Sequence, residues 1–359
     1  MRPKQDSEWK PWQVWIILWL TVFLTLPGMV LLHHGIGGND SIMFRVGAAL
    51  CGPGMYRYDL QSKLLGSHGT PFFRAPFYAW MLRPLLRLDF ALALFLLNLA
   101  AAAAVILLLP RSLGKYRYGL SPLVVLFAPL YLNFSIEQDG ALVLLILSLS
   151  LVAESAGLSF LAGAVLALTL EKPSLFLLLP AVIAVQKRFR MLWGYLTCAC
   201  VLAIVSLWIA GFSAFKDYIN LVAQYTVTPE KMPTARGIAA NLHVWMLWPL
   251  LTALAAAATL WRARTVSFTA AFCIGIAGSL FVSPQSYAHD CSMLLLPVLY
   301  FLFNGSPFQR LISALWLVPA APLAFLLSPP WSIYTALLVL LLLYSATVTT
   351  VPRLDGRSS

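Results

Sequence analysis

About twelve stretches of this chain are apolar for too long to be ordinary pieces of a water-soluble fold. They run over about 12–32, 76–110, 119–133, 139–154, 157–170, 173–186, 191–211, 238–261, 265–283, 290–303, 311–327 and 331–349. The runs are continuous rather than alternating, so each reads as a helix and not as a strand of a membrane barrel. Composition supports this. Hydrophobic residues make up 60% of the 359 positions and charged residues only 10%, against roughly 25% charged in soluble domains. A soluble fold of this size has no interior large enough for so much apolar surface. The expected class is therefore an all-α, polytopic integral membrane protein with about twelve transmembrane helices. It reads as one domain over 1–359, with a first outer loop at 33–75 and a second at 212–240.

The formal net charge of +11 does not point to nucleic acid, because the basic residues sit in short clusters between apolar runs, as Lys and Arg do in cytoplasmic loops. The run at 12–32 is long for a signal-peptide core and lacks a small-x-small cleavage site after it, so it is expected to be retained. The five cysteines form no C-x-x-C pair, which leaves zinc and redox frameworks unsupported. Cys51 and Cys291 fall on the same side, but spacing in sequence gives no distance, and a disulfide between them is not expected.

Orientation follows from charge. If 76–110 crosses once from a cytoplasmic N-terminus, the Lys187–Arg190 and Arg262–Arg264 clusters and most of the 24 Lys and Arg fall inside. A hairpin at 76–110 reverses those clusters, so the single crossing is preferred, as a tilted or broken helix or as an interfacial piece leading into a span. All five histidines (His33, His34, His68, His243 and His289) then face out, together with most of the carboxylates.

One charge in this layout stands apart. A helix over 157–170 rises only about 21 Å at ~1.5 Å per residue, against a hydrocarbon core near 30 Å. The Glu171-Lys172-Pro173 break therefore falls below the outer surface. Charge at that depth is tolerated only inside protein or in a wet cavity. Lys172 is expected to meet an anionic head group there, or else Glu171 or Asp139.

The polar island from His33 to Arg74 holds the candidate centre, Asp40. It is placed either to take a proton from an attacking hydroxyl or to cap the helix beginning near Ser41. Two short helices are expected on either side of Cys51-Gly-Pro-Gly54, lying at the membrane interface. Arg74, within Phe73-Arg-Ala-Pro-Phe-Tyr78, suits a phosphate or interfacial anchoring equally well. Gln138 lies in Glu137-Gln-Asp-Gly140, polar between two apolar runs. Arg236 comes from Met232-Pro-Thr-Ala-Arg-Gly237 on the second outer loop. His289 and Asp290 close Ser283-Pro-Gln-Ser-Tyr-Ala-His-Asp290, where the carboxylate can orient the imidazole. There is no metal motif, phosphate-binding glycine loop or nucleophile elbow.

Taken in order, these motifs resemble glycosyltransferase family 87, whose members are multi-pass GT-C enzymes. The resemblance extends over about 33–303. It implies a polyprenyl-phosphate sugar as donor substrate, with no separate cofactor, entering from the bilayer, and a lipid or glycan acceptor. It implies Asp40 as the catalytic base in the first outer loop, with Arg74, Gln138, Lys172, Arg236, His289 and Asp290 binding substrate, and no metal ligand among them. The expected reaction is an inverting hexose transfer, mannose by resemblance, on the extracytoplasmic side of the cell membrane. The rival function is a transporter or flippase of an anionic lipid-linked substrate. The crowding of polar groups on one side, and the lack of a visible repeat, favour the enzyme.

Overall fold

The computed structural model describes residues 40–66, 70–113, 127–225, 227–317 and 331–348. The expected span at 12–32 lies outside them, as do His33, His34, Asn39, His68 and parts of the runs at 119–133 and 311–327. Every regular element among the described residues is helical.

The first loop forms α1 (Ser41–Ala49) and α2 (Tyr58–Leu65) around Cys51-Gly-Pro-Gly54. Gly54 has φ 81°, a left-handed conformation that glycine adopts without a Cβ penalty. Helix α1 buries Met43, Phe44, Val46 and Ala48. At Gly47 a Cβ would come within 2.3 Å of the Phe72 ring, so the missing side chain lets that ring seat.

The 76–110 run is broken. Helix α3 (Pro76–Leu82) passes into a 3₁₀ turn at Arg83–Arg87, and α4 (Phe90–Leu113) begins afresh. Pro84 lacks the N–H that would continue the helix. Asp89 restarts it by accepting from the Leu92 N–H at 3.1 Å, a side-chain cap.

The chain continues through α5 (Ala128–Ser135), α6 (Gly140–Ser155) and α7 (Ser159–Leu166). From α7 it tightens into 3₁₀ turns at Ala167–Glu171 and Pro173–Leu175. Then come α8 (Leu179–Val185), α9 (Phe189–Ala210), α10 (Ser213–Gln224) and α11 (Ala235–Asn241). Helices α12 (Leu247–Ala263) and α13 (Phe268–Val282) lead to a 3₁₀ turn at Ala288–Leu294. The last are α14 (Leu295–Asn304), α15 (Pro307–Leu317) and α16 (Trp331–Val348).

These bounds follow the apolar runs, but the helices are shorter than the runs suggest. Among the described residues two are long and apolar enough to cross a bilayer, Phe90–Leu108 within α4 and Phe189–Ala210. The expected twelve crossings are therefore not borne out as full-length helices. The 76–110 run is cut at Pro84 and the 238–261 run between Asn241 and Leu247, whereas Asp139-Gly140 and Lys172-Pro173 fall where runs already end. All five cysteines are free, and Cys51 and Cys291 form no disulfide.

Two apolar cores result. The larger surrounds α13, which is buried from Ala270 to Val282, as expected of a helix hydrophobic on all sides. Close crossings use glycine. A Cβ at Gly194 of α9 would lie 2.0 Å from the Phe160 carbonyl, and one at Gly163 of α7 would lie 1.8 Å from the Met191 carbonyl. The smaller core joins α1, α3 and the first turns of α4 to the end of α9 and to α10 through Phe44, Tyr56, Phe77 and Leu221. Leu170 and Leu202 pack against both cores. The charged residues gather at this seam.

Candidate active site

Each charged residue at the seam comes from a helix end, where the chain has unsatisfied backbone groups and freedom to turn. Arg74 precedes α3. Its side chain is 6% exposed, and a charge so deep needs partners. Nη2 lies 3.0 Å from Asp139 Oδ1, and Nη1 lies 3.0 Å from Glu171 Oε2. Nη2 also donates to Gln138 Oε1 at 3.3 Å. The guanidinium carbon sits 5.6 Å from the Phe44 ring centroid. The backbone is clamped as well. Tyr56 Oη donates to the Arg74 carbonyl at 2.6 Å, and the Ala75 N–H donates to the Glu171 carbonyl at 3.2 Å.

Asp40 occupies the N-cap position of α1 without capping it. Its backbone is right-handed helical (φ −72°, ψ −13°) and its side chain makes no capping bond, whereas a capping residue is normally extended. The carboxylate instead accepts from Gln138 Nε2 at 2.6 Å through Oδ2. Its N–H donates to the Ile136 carbonyl at 3.2 Å, which ties the start of α1 to the turn between α5 and α6.

That turn is held by Asn133. Its Nδ2 donates to the His289 carbonyl at 2.6 Å, and its Oδ1 accepts from the Gly140 N–H at 2.9 Å. Glu137 adopts φ 60°, a left-handed conformation in which a non-glycine residue is uncommon. A Cβ on Gly140 would meet the Asn133 side chain at 2.5 Å.

Lys172 follows the 3₁₀ turn that ends α7. Its Nζ lies 2.5 Å from Asp290 Oδ1, so its partner is neither Glu171 nor Asp139. The other oxygen of Asp290 accepts from the Tyr287 N–H at 2.8 Å. His289 Nε2 lies 3.4 Å from Asp290 Oδ1, and the imidazole stacks on Tyr287 with centroids 6.1 Å apart.

The cluster holds more carboxylates (Asp40, Asp139, Glu171 and Asp290) than permanent cations (Arg74 and Lys172). Burial pushes Glu171 above the ordinary carboxylate range, with Arg74 opposing. Burial pushes His289 below the ordinary imidazole range, against Asp290 and with Lys172, and Asp40 is close enough to act on it. Burial pushes the Tyr287 phenol up to about 12, with Tyr225 adding to it.

Arg236 stands apart. Its Nη1 donates to the Pro284 carbonyl at 2.9 Å, and its guanidinium lies 5.1 Å from the Trp248 ring centroid. It braces the 283–290 segment from behind. The structure thus brings Asp40, Arg74, Gln138, Lys172, His289 and Asp290 into one network and leaves Arg236 beside it. Asn133, Asp139 and Glu171 complete the network without having been singled out as site residues. Glu171 carried the same signal as Lys172, a charge at a break beside an apolar helix.

A narrow hollow of about 10 Å³, room for about one water, is lined by Arg74, Asp139, Glu171, Lys172 and Asp290, among others. Ligand pockets measure roughly 300–1,000 Å³, so the hollow as it stands is far smaller than a lipid-linked sugar. Among the described residues no group of three or more His, Cys, Asp and Glu is placed to hold a metal ion.

Fold and site together define an all-helical protein with a buried acid–base network assembled from helix ends. The sequence model of glycosyltransferase family 87 matches residues 72–284, more than half the chain, and the protein belongs to that family of glycosyltransferases. The matched stretch contains Arg74, Gln138, Lys172 and Arg236. Asp40, His289 and Asp290 lie outside it. No curated protein and no solved structure matches the chain.

Proposed function

We propose that this glycosyltransferase is a multi-pass membrane enzyme. It transfers a hexose, taken as mannose, from a polyprenyl-phosphate donor to a hydroxyl of a lipid or glycan acceptor on the extracytoplasmic face, with inversion. The observation that carries this reading is the meeting of Asp40, His289 and Lys172 in one network. A carboxylate able to take a proton acts on His289, an imidazole able to meet a phosphate, which Asp290 joins to the cation of Lys172.

Asp40 removes the proton from the acceptor hydroxyl as its oxygen attacks the anomeric carbon. The bond from that carbon to the phosphate oxygen breaks, and the polyprenyl phosphate leaves with the electron pair. Lys172 uses one of its donors on Asp290, and its remaining donors face the leaving phosphate, with His289 beside it. Such preorganised donors are worth most where charge develops. Arg74 is taken up by protein acceptors, so its part is to hold the network rather than to bind phosphate.

Membrane residence is supported by α4 and α9. Only 28% and 17% of their most apolar stretches are buried inside the protein, and Ile204 and Trp208 are 67% and 79% exposed. Apolar surface of that extent is costly in water. Incubating the purified protein with a panel of polyprenyl-phosphate sugars, and identifying products by mass spectrometry, tests the reading. A new glycosidic bond supports it. Movement of a labelled lipid across sealed vesicles, with no new bond, contradicts it and supports a flippase.

A further inference from the structure

We propose that Gln138 is a positioning residue that fixes the orientation of Asp40, and that it does not bind substrate. The inference rests on the reading of Asp40 as the base. Gln138 is 5% exposed, whereas Asp40 is half-buried, so the amide lies behind the carboxylate.

Its amide bridges two groups of opposite need. Nε2 donates to Asp40 Oδ2 at 2.6 Å, and Oε1 accepts from Arg74 Nη2 at 3.3 Å. A carboxylate only accepts and a guanidinium only donates. Turning the amide over would set its NH₂ against the guanidinium and its carbonyl against the carboxylate. One orientation is therefore enforced, and Arg74 enforces it. Arg74 is itself pinned by Asp139 and Glu171.

The backbone repeats the arrangement. The Gln138 N–H donates to the Asn133 carbonyl at 2.8 Å, and the Asp40 N–H donates to the Ile136 carbonyl. The side-chain bond and the backbone bond together hold Asp40 against one turn. Oδ2 is engaged by the amide, and the other oxygen, Oδ1, is the one assigned to the acceptor proton. Lines of force thus run from two buried carboxylates through a guanidinium and an amide to the base.

Two variants and two measurements test this. Gln138→Glu keeps the shape and the acceptor toward Arg74 but replaces the donor toward Asp40 by a second carboxylate. Gln138→Leu removes both bonds. The substrates are polyprenyl-phosphate mannose as donor and octyl α-mannoside as acceptor. Both variants are expected to lower kcat about 10- to 100-fold, the range for losing a hydrogen bond to a charged group, with donor and acceptor KM within about twofold. For Gln138→Glu the acid limb of the rate profile also moves to higher pH, because neighbouring carboxylates share a proton. A raised KM with unchanged kcat, or an unmoved acid limb, overturns the proposal.

A double-mutant cycle on thermal stability needs no substrate. Asp40→Ala and Gln138→Leu are expected to lower Tm by less together than the sum of their separate effects. Strict additivity overturns the pairing. If the wild-type protein transfers no sugar, the reading of function fails, and the cycle still decides whether Gln138 holds Asp40.

Discussion

Lys172 and Asp290, 118 residues apart in the chain, meet at 2.5 Å between Nζ and Oδ1. Their side chains are 17% and 6% exposed. The pair joins the end of α7 to the turn that opens α14, and so ties the two halves of the site.

Breaking this pair on one side leaves an uncompensated buried charge. Lys172→Met is expected to destabilise the protein by roughly 3–5 kcal/mol. Adding Asp290→Asn removes the orphaned charge and restores part of the loss. Denaturation of the purified protein in detergent measures both. Equal stability of the single and double variants would show that the two residues do not depend on each other.

His289 supplies a pH signature. Burial holds its folded-state pKa below the ordinary imidazole value, so the unfolded chain binds a proton more readily than the folded one. The stability that depends on a neutral His289 is present above the ordinary value near pH 6.5. It is lost as pH falls below it. Asp290, in contact with the imidazole, and the more distant charges of Lys172, Asp40 and Arg74 act on it and set how far the effect extends. His289→Gln is expected to flatten the Tm profile between about pH 7.5 and 5. A variant profile parallel to wild type would contradict this.

The crossing of α7 and α9 sets where Lys172 lies. Gly194→Ala places a methyl against the Phe160 carbonyl, where a Cβ would stand 2.0 Å away, and backbone gives way poorly. The expected cost is about 1–3 kcal/mol, typical of overpacking, and the helices must separate. Activity is expected to fall along with stability, because the end of α7 moves with the helix. Full activity in a folded Gly194→Ala protein would show that the crossing does not position the site.

Much of this was legible in the sequence, for identifiable reasons. The two helices around Cys51-Gly-Pro-Gly54 were marked by turn residues, and the Lys172-Pro173 break by a proline after a charge. The fragmentation of 76–110 was visible in Pro84 and Asp89. What the sequence hid was pairing. Hydropathy placed Lys172 at depth, but the choice of Asp290 over Glu171 or Asp139 depends on how distant helix ends meet. The same holds for Arg74. Its motif suited a phosphate, and only the fold reveals that Asp139 and Glu171 already claim it. Asn133 carried no signal, since an Asn near a helix end is usually a local cap. Two helices among the described residues are long enough to cross, because several apolar runs, 157–170 among them, are themselves shorter than a crossing needs.

The central claim is that Asp40 is the base of a transfer from a lipid-phosphate sugar. Asp40→Asn keeps the size of the side chain and an acceptor for Gln138 Nε2 but cannot take up the proton. In a purified, folded protein supplied with polyprenyl-phosphate mannose and octyl α-mannoside, kcat is expected to fall roughly 10²- to 10⁴-fold, the usual cost of losing a general base, with Tm close to wild type. Near-normal transfer by Asp40→Asn would contradict the account.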